Sequence, residues 1–253
     1  DNGYLALNEK SKGWSEYHES IAKMSSHDLN VKIVPSDECN IIYSSGTTGL
    51  PKGIVHSHAS RAAWASSMSV SLRYNSSAKT LLTLGLYSNI SWVAFLNTII
   101  VGGTMFIAEK FDVNECLTQI QNDQITHFAM VPVQYQLLLA SKSFDNYKLN
   151  SIQATMCCGS PLPVIVKNEL MQRLPGDFIE LYGLTEGLVT ILSPDEMHNK
   201  IESVGRPYPG QDIMIIGNDD KEVKTGQAGE IVGVSEILMS GYFNNPLANK
   251  EAT

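Results

Sequence analysis

A chain of 253 residues with 43% hydrophobic and 17% charged side chains can bury a substantial core, which excludes a largely disordered protein. Its formal net charge of −8 excludes a global positive field that would hold nucleic acid or an anionic membrane, so any bound anion must be held by local groups. No apolar run approaches the roughly 18–20 residues of a transmembrane helix. The cysteines contain no C-x-x-C pair, which argues against a zinc site or a disulfide framework and favours a reducing cytoplasm; they are Cys39, Cys116, Cys157 and Cys158.

Short apolar runs alternate with longer segments of helical character from residue 39 onward. The runs predict buried strands, and in chain order they read NIIYSS, TLLTL, TMFIA, ITHFAMVP, IQATMCCG and DFIELYG. The intervening segments predict helices, most clearly at residues 112–123. Apolar side chains recur there at i, i+3, i+4 and i+7, at Val113, Cys116, Leu117 and Ile120. This alternation predicts an α/β fold with a largely parallel sheet and flanking helices.

Changes in composition and in the pattern of apolar residues divide the chain into three parts. Residues 1–37 are polar and weakly patterned and are expected to be the remnant of a preceding subdomain, whereas residues 38–188 form the predicted α/β part. In residues 189–253 the apolar runs DIMIIG, GEIVGV and ILMSGYF are short and rich in nearby glycine and proline, which predicts small antiparallel strands in a barrel-like part. Because neither end resembles a finished terminus, we expect the chain to be a piece of a longer protein.

Two glycine-rich loops, at residues 44–53 and 183–187, each follow a predicted strand directly. Ligands of open parallel sheets bind beyond the carboxyl ends of the strands, so the two loops are expected to meet at one edge. The first loop, SSGTTGLPKG, combines flexible glycines, hydroxyl donors and one cation, Lys52. A surface turn, a linker and a polyphosphate cradle all fit these features. The Walker pattern does not, because Gly53 rather than Ser or Thr follows the lysine.

The first loop resembles the phosphate loop of the acyl-adenylating superfamily, which includes acyl-CoA synthetases, adenylation domains of peptide synthetases and luciferases. All ten positions of SSGTTGLPKG fit [ST]-[ST]-G-[ST]-T-G-x-P-K-G. Downstream, LYGLTEG at residues 181–187 resembles the family's Y-G-x-T-E, and the GSPL within CCGSPLP resembles its G-[AGS]-P-L. SVGRPYPG and the segment from GEIVGV onward are similar to two further family segments, so the resemblance covers residues 37–253.

The resemblance implies an ATP site built from both loops. It places the β- and γ-phosphates on the first loop, at Ser44, Ser45, Gly46, Thr47, Thr48, Gly49 and Lys52. It places the adenine near the second loop, at Tyr182 and Gly183, with a wall made of Gly159, Ser160 and Pro161. Thr185 is implied to bond the α-phosphate, and Glu186 to bind Mg²⁺, a hard cation that prefers carboxylate oxygen. Lys52, Thr185 and Glu186 are the catalytic residues that this likeness implies.

The family's reaction joins an acid to a thiol in two halves, with ATP, Mg²⁺ and coenzyme A as the implied cofactors and co-substrates. The acid's carboxylate attacks the α-phosphorus of ATP to give acyl-AMP and pyrophosphate, and the thiol of coenzyme A then displaces AMP. This chemistry needs positioning and neutralisation of phosphate charge rather than a protein nucleophile. The family's small C-terminal domain, which carries a lysine used in adenylation, is not matched here. The chain by itself is therefore expected to be inactive or severely impaired.

The family's acyl pocket corresponds to residues 80–108, which contain no Asp, Glu, Lys, Arg or His. A buried ammonium without a partner is costly, so this segment predicts a fatty or aryl acid rather than an α-amino acid. Tyr87, together with Gly183, is the pocket candidate. Outside the motifs, His56 and His58 are assigned to a loop and a helix start rather than to a metal, and Arg206 either helps to position a domain or is a surface residue.

Three hypotheses for function remain. The leading one is part of an AMP-forming acyl-CoA synthetase acting on an apolar carboxylic acid. The second is an adenylating ligase that loads the thiol of a carrier protein. The third, of a different class, is a non-catalytic nucleotide-binding module.

Overall fold

The structure is a computed structural model that describes residues 4–7, 13–44 and 51–252. The chain divides into two compact units, residues 1–34 and residues 35–253. In the first unit, β1 (Tyr4–Ala6) and β2 (Trp14–Glu16) pair in parallel, and α1 (Tyr17–Ile21) follows directly. The first unit is therefore a small element of its own. The boundary predicted near residue 188 stays a prediction.

The second unit contains the alternating strands and helices that the sequence predicts. Its strands are β3 (Glu38–Ser44), β4 (Lys52–Ser57), β5 (Lys79–Leu82), β6 (Thr104–Ile107), β7 (His127–Met130), β8 (Ala154–Cys157), β9 (Asp177–Gly183), β10 (Val189–Leu192), β11 (Arg206–Pro207), β12 (Gln211–Ile216), β13 (Glu230–Ser235) and β14 (Gly241–Tyr242). Its helices are α2 (His58–Ser71), α3 (Asn89–Ile100), α4 (Val113–Asp123), α5 (Pro132–Ala140), α6 (Val164–Arg173), α7 (Pro194–Lys200) and α8 (Pro246–Ala252), with a 3₁₀ turn at Phe144–Asn146.

The largest sheet among the described residues has the strand order β11-β10-β9-β8-β7-β5-β6. Strands β6, β5, β7, β8 and β9 are parallel, and β10 and β11 add antiparallel pairs at one edge. Strands β12 and β13 form a separate antiparallel ribbon. This arrangement confirms the predicted α/β class, with a mostly parallel sheet followed by short antiparallel strands.

The first predicted strand belongs to a different sheet from the one expected. Strand β3 pairs antiparallel with β4, which in turn pairs with β14, so these three strands form a sheet of their own. The sequence suggested a buried strand that begins the parallel sheet, and it assigned His56 to a loop. In the structure only Ile42 is fully buried within β3, and His56 lies in β4. The expectation was wrong because KGIVHS, after the first glycine loop, returns as the second strand of a hairpin.

Helices cover both faces of the large sheet. Successive strand residues point to opposite faces, so Phe128 packs in the layer of α4, α5 and α6, whereas Ala129 packs in the layer of α2 and α3. Leu81 and Leu82 divide in the same way. The strands are buried on both sides, which is why they read as continuous apolar runs rather than as alternating ones.

The strand order reverses at β5. The chain passes from β5 to β6 on one side and then returns to β7 on the other side of β5. Loops that leave the carboxyl ends of β5 and β7 therefore lead to opposite faces of the sheet, an arrangement at which open α/β sheets commonly bind ligands. The loop that contains Tyr87 connects the end of β5 to α3.

A buried ion pair joins α6 to β9. The ammonium of Lys167 contacts the carboxylate of Glu180 and also donates a hydrogen bond of 2.7 Å to the carbonyl of Ile201. The two charged residues are only 4% and 6% exposed. Removal of either partner would leave a buried charge without compensation.

We predict that Lys167→Met lowers the free energy of unfolding by about 3–5 kcal/mol, because Glu180 loses its counter-charge inside the protein. The control is Arg73→Met, which breaks the half-exposed Arg73–Asp177 pair of 3.0 Å. This change should cost about 0–1 kcal/mol. Urea denaturation of both variants measures the difference, and equal losses would contradict the assignment of Lys167 as a buried counter-ion.

Candidate functional site

The second glycine loop is a tight connection between β9 and β10. The N–H of Leu184 donates to the carbonyl of Leu188 at 3.0 Å, which closes the turn. Gly187 has φ +117°, and a Cβ there would lie 2.4 Å from the carbonyl oxygen of Ile237. The loop therefore requires glycine at this position, and its close packing fixes the preceding Glu186.

A cavity of about 570 Å³ lies at the carboxyl ends of β8 and β9. It brings together five residues that the sequence predicts for the adenine site: Gly159, Ser160, Pro161, Tyr182 and Gly183. The Tyr182 side chain is 41% exposed, so a planar ligand can reach its ring. Gly159 has φ +105°, a backbone conformation that residues other than glycine rarely adopt. The buried pair Lys167 and Glu180 also lines this cavity.

The two predicted charged residues, Lys52 and Glu186, contact the same tyrosine. The hydroxyl of Tyr242 donates a hydrogen bond of 2.9 Å to Oε1 of Glu186. The ammonium nitrogen of Lys52 lies 4.9 Å from the centre of the Tyr242 ring, within the range of a cation–π contact. Residues from β4, the second glycine loop and β14 thus converge at one place.

His56 connects β4 to the second glycine loop. Its Nε2 is 2.9 Å from the carbonyl oxygen of Thr185, which can only accept, so Nε2 carries the proton. Its Nδ1 is 3.4 Å from the hydroxyl of Ser60. Burial, together with the nearby Arg61, lowers the pKa of His56 to about 4. The imidazole is therefore neutral at physiological pH and donates to the backbone of the loop.

The remaining residues of the predicted phosphate loop lie partly outside the described residues. Ser44 ends β3 and is paired directly with Lys52 at the start of β4. The ends of the loop are therefore adjacent, whereas Ser45, Gly46, Thr47, Thr48 and Gly49 lie within the span 45–50, which is not described. Tyr87, the predicted pocket residue, has a side chain that is 79% exposed and lies against Gly85.

A buried cation lies beside the predicted acyl segment, although that segment itself is uncharged. Arg61 of α2 is 2% exposed and donates 2.9 Å hydrogen bonds to the side-chain oxygens of Asn40 and Asn89. Its guanidinium carbon is 5.4 Å from the centre of the Trp92 ring. Burial lowers the pKa of Arg61 to about 10, which still leaves it protonated at neutral pH. The surroundings of residues 80–108 are thus less apolar than the sequence alone suggests.

The other residues singled out by sequence lie in secondary structure, are buried, or form an ion pair. His58 is the first residue of α2, as predicted, and Cys157 ends β8 as a fully buried side chain. Burial raises the pKa of Cys158 to about 12, so its thiol is protonated at neutral pH. Arg206 pairs with Glu196 while its own side chain stays mostly exposed. No group of three or more metal-binding side chains occurs within the described part of the chain.

Several residues near the site were not identified from the sequence. Lys167 interrupts the apolar face of α6 three residues before Leu170, and Glu180 interrupts the apolar run of β9; each is a signal of a buried charge. Tyr242 lies in a segment similar to the family, but nothing local indicates its contact with Glu186. The His56 contact also depends on tertiary structure.

The site fits a magnesium ion held with a polyphosphate, as the resemblance implies. Mg²⁺ is commonly bound through one or two carboxylates together with substrate phosphates and water. Glu186 is half-buried, and Tyr242 engages one of its carboxylate oxygens. Within the described residues the other oxygen makes no hydrogen bond, so it can serve as the one protein oxygen of a site that phosphates and water would complete.

Comparison with known proteins gives one family and several relatives. The profile of the AMP-binding enzyme family matches residues 4–243. A feruloyl-CoA synthase from an Amycolatopsis species is 29% identical over 218 residues, which cover 85% of this chain and 44% of that protein. A medium/long-chain-fatty-acid–CoA ligase, FadD8 of Mycobacterium tuberculosis, is 28% identical over 229 residues, 89% of this chain and 40% of that protein. The chain therefore spans less than half the length of these two relatives.

The fold is also shared with a solved structure. The inhibitor-bound N-terminal domain of FACL13 from Mycobacterium tuberculosis aligns with a TM-score of 0.86 and 25% identity, covering 95% of this chain and 61% of that domain. In the described part of the chain, no helix is both long enough and apolar enough to cross a membrane.

We predict that His56→Gln removes part of the acid sensitivity of folding. The unfolded histidine has a pKa of 6.5 and the folded one about 4, so the unfolded chain binds the proton first as the pH falls. The contribution of His56 to the free energy of unfolding is therefore fully present above pH 6.5 and is lost as the pH falls toward 4. Between pH 7 and pH 5 the free energy of unfolding should fall by about 2 kcal/mol more in the wild type than in His56→Gln.

Urea denaturation at the two pH values measures this difference, and His56→Leu serves as the matched control. Leucine also cannot titrate, so it should show the same reduced pH dependence. It lacks the donor to Thr185, however, so its stability should be lower than that of the glutamine variant at both pH values. An unchanged pH dependence in both variants would contradict the neutral, buried state of His56.

Proposed function

The chain belongs to the AMP-binding enzyme family, and on this premise we propose that it is the nucleotide- and acyl-binding part of an ATP-dependent acyl-CoA synthetase. The proposed enzyme activates an apolar carboxylic acid, fatty or aryl, as an acyl-AMP and releases pyrophosphate. It then transfers the acyl group to coenzyme A. One observation carries this proposal: Lys52 and Glu186, which are distant in sequence, contact opposite parts of Tyr242.

The cavity beside Tyr182 supports a site for the adenine. Tyr182, which lines the cavity, is exposed enough for a planar base to stack on its ring, and Gly159 has no side chain to block close approach. Glu180, in the cavity wall, is ion-paired with Lys167 and therefore stays fixed. A cavity of similar size near Phe144 and Arg173 lies at the opposite, amino ends of the strands and contacts none of these residues.

From the cavity, the second glycine loop leads toward the predicted phosphate site. A nucleotide with its base against Tyr182 would extend its phosphates past Thr185 and Glu186 toward Lys52. The Thr185 hydroxyl would donate to the α-phosphate, while His56 holds the backbone of Thr185 in place. This order of residues matches the order of groups in ATP.

Adenylation then requires no protein nucleophile. Lys52 would neutralise charge on the β- and γ-phosphates, and the fixed loop would hold the α-phosphate at the end of the acyl crevice. Oriented binding of this kind can supply most of the acceleration of a two-substrate reaction. Magnesium, when bound at Glu186, would add charge neutralisation on the leaving pyrophosphate.

The acyl crevice is proposed to lie between the loops that follow β5 and β7, where the strand order reverses. The segment around it carries no charged side chain of its own, and Arg61 adds a buried positive charge nearby. A substrate ammonium would find no carboxylate on this segment, so α-amino acids are disfavoured. The relatives named for feruloyl and fatty acyl substrates are consistent with an aryl or fatty acid.

We predict that the full-length protein catalyses acid-dependent ATP–pyrophosphate exchange, and that apolar acids outpace amino acids. Each buried methylene contributes about 0.8 kcal/mol, so the rate per acid concentration should rise up to roughly fourfold per CH₂ until the crevice is full. A screen of straight-chain fatty acids, aryl acids and α-amino acids measures this dependence. Thioester formation with coenzyme A, compared with a carrier protein, identifies the acceptor.

The controls for this screen are reactions without acid and Glu222→Gln, which neutralises one exposed carboxylate in the connection between β12 and β13. Its exchange rate should equal that of the wild type. Absence of exchange with every acid would contradict the synthetase proposal. Fastest exchange with an α-amino acid would be compatible with adenylation but would contradict the proposed substrate class.

A further inference from the structure

Lys52 and Glu186 carry opposite charges and both contact Tyr242, yet no ion pair joins them in the described part of the structure. We propose that Tyr242 is a positioning residue that keeps these two charges apart and oriented. Its ring holds the ammonium of Lys52, and its hydroxyl holds one carboxylate oxygen of Glu186. This inference rests on the proposed function, because it assigns Lys52 to phosphate and Glu186 to magnesium.

The backbone of Tyr242 is held firmly enough for such a role. Strand β14 pairs with β4, and Phe243 N–H donates to the carbonyl of Gly53 at 2.7 Å. On the other side, the side chain of Asn249 in α8 accepts from the N–H of Tyr242 at 2.6 Å and donates to its carbonyl at 3.1 Å. The tyrosine ring thus projects from an anchored strand, rather than from a free loop.

The hydroxyl of Tyr242 acts as a donor over the whole physiological range. The carboxylate oxygen of Glu186 can only accept in this 2.9 Å bond, so the phenol of Tyr242 is the donor. A protonated phenol can donate to one oxygen of Glu186 and leave the other oxygen for a metal. The same hydrogen bond limits rotation of the carboxylate about its last bond.

The ring of Tyr242 has a separate effect on Lys52. A cation over an aromatic face is attracted to it but keeps its own hydrogen-bond donors for another partner. A direct Lys52–Glu186 ion pair would instead occupy the donors and the acceptor that the phosphates and the metal need. Tyr242 therefore favours the open, charge-separated arrangement of the site before the nucleotide binds.

The segment just before β14, at Met239 and Ser240, also holds Glu186 and Lys52 in place. The N–H of Met239 donates to the carbonyl of Glu186 at 2.7 Å, and Ser240 N–H donates to the carbonyl of Val55 at 2.8 Å. The segment that leads into β14 is thus bonded both to the loop of Glu186 and to the strand of Lys52. Tyr242 lies at the end of this connection.

Two substitutions separate the two roles of Tyr242. Tyr242→Phe keeps the ring and removes the hydroxyl, so it should raise the Mg²⁺ concentration needed for half-maximal ATP binding about tenfold, the effect of a lost hydrogen bond to a charged group. Tyr242→Leu removes the ring as well, so it should also weaken ATP binding at saturating Mg²⁺. Binding of AMP, which lacks the β- and γ-phosphates, should stay within about twofold of wild type in both variants because the adenine cavity is unchanged.

Calorimetric titration of the full-length protein with ATP and with AMP, at several Mg²⁺ concentrations, measures these affinities. Phe243→Leu is the matched control, because it changes the neighbouring aromatic residue, whereas Lys52 and Glu186 contact Tyr242. This variant should bind both nucleotides like the wild type. Combining Tyr242→Phe with Glu186→Gln should add little to the magnesium effect of Glu186→Gln alone, since both changes act on one carboxylate.

The outcomes separate this inference from the proposed function. If the wild type binds ATP with Mg²⁺ but both tyrosine variants bind as tightly and with the same Mg²⁺ dependence, Tyr242 has no positioning role and the synthetase proposal stands. Equal weakening of ATP and AMP binding in both variants would show a general loss of structure and would also overturn the inference. If the wild type binds neither nucleotide, the proposed function itself fails.

Discussion

The site depends on holding two β-sheets in a fixed relation, because Lys52 and Glu186 belong to different sheets. Lys52 begins β4 in the antiparallel sheet, whereas Glu186 follows β9 in the mostly parallel one. His56 of β4 bonds to the carbonyl of Thr185, and the N–H of Met239, which leads into β14, bonds to the carbonyl of Glu186. Trp64 of α2 also donates to the carbonyl of Ile237 in the segment before β14, at 2.9 Å. Loss of this relation would separate the phosphate and metal groups even if each loop kept its own shape.

The parallel sheet positions the cavity that is proposed to bind the base. Parallel strands bring their carboxyl ends to one edge, and the cavity opens there between the ends of β8 and β9. Buried strands and glycines at tight approaches, such as Gly187 against Ile237, keep this edge in place. The rigid part of the protein thus sets the position of the base, and the connection between the sheets sets the position of the phosphates.

The sequence predicts elements best where one local pattern decides the outcome. Strand β9 has the predicted bounds because its apolar run ends directly at a glycine, and α4 has a single amphipathic face capped by Asp112. The antiparallel pairing of β3 with β4 was missed because a hairpin and a strand followed by a loop look alike in sequence. The short helices α7 and α8 were also missed, since few turns give little periodicity.

The same distinction applies to the site. Tyr182, Gly183, Thr185 and Glu186 are adjacent in sequence, so a motif was enough to select them, although their roles remain proposals. The contact of Tyr242 with Glu186 joins residues 56 positions apart, and that of His56 with Thr185 joins residues 129 apart. No local pattern encodes such distances. Only the fold shows that Tyr242 lies between the two charges.

The most direct test of this account is a crystal structure of the protein with a non-hydrolysable ATP analogue and Mg²⁺. The account predicts the adenine in the cavity against Tyr182, the terminal phosphates bound by Lys52, and the metal about 2.0–2.1 Å from an oxygen of Glu186. It also predicts that the Tyr242 hydroxyl still bonds the other oxygen of that carboxylate. A nucleotide bound elsewhere, or a metal with no contact to Glu186, would contradict it.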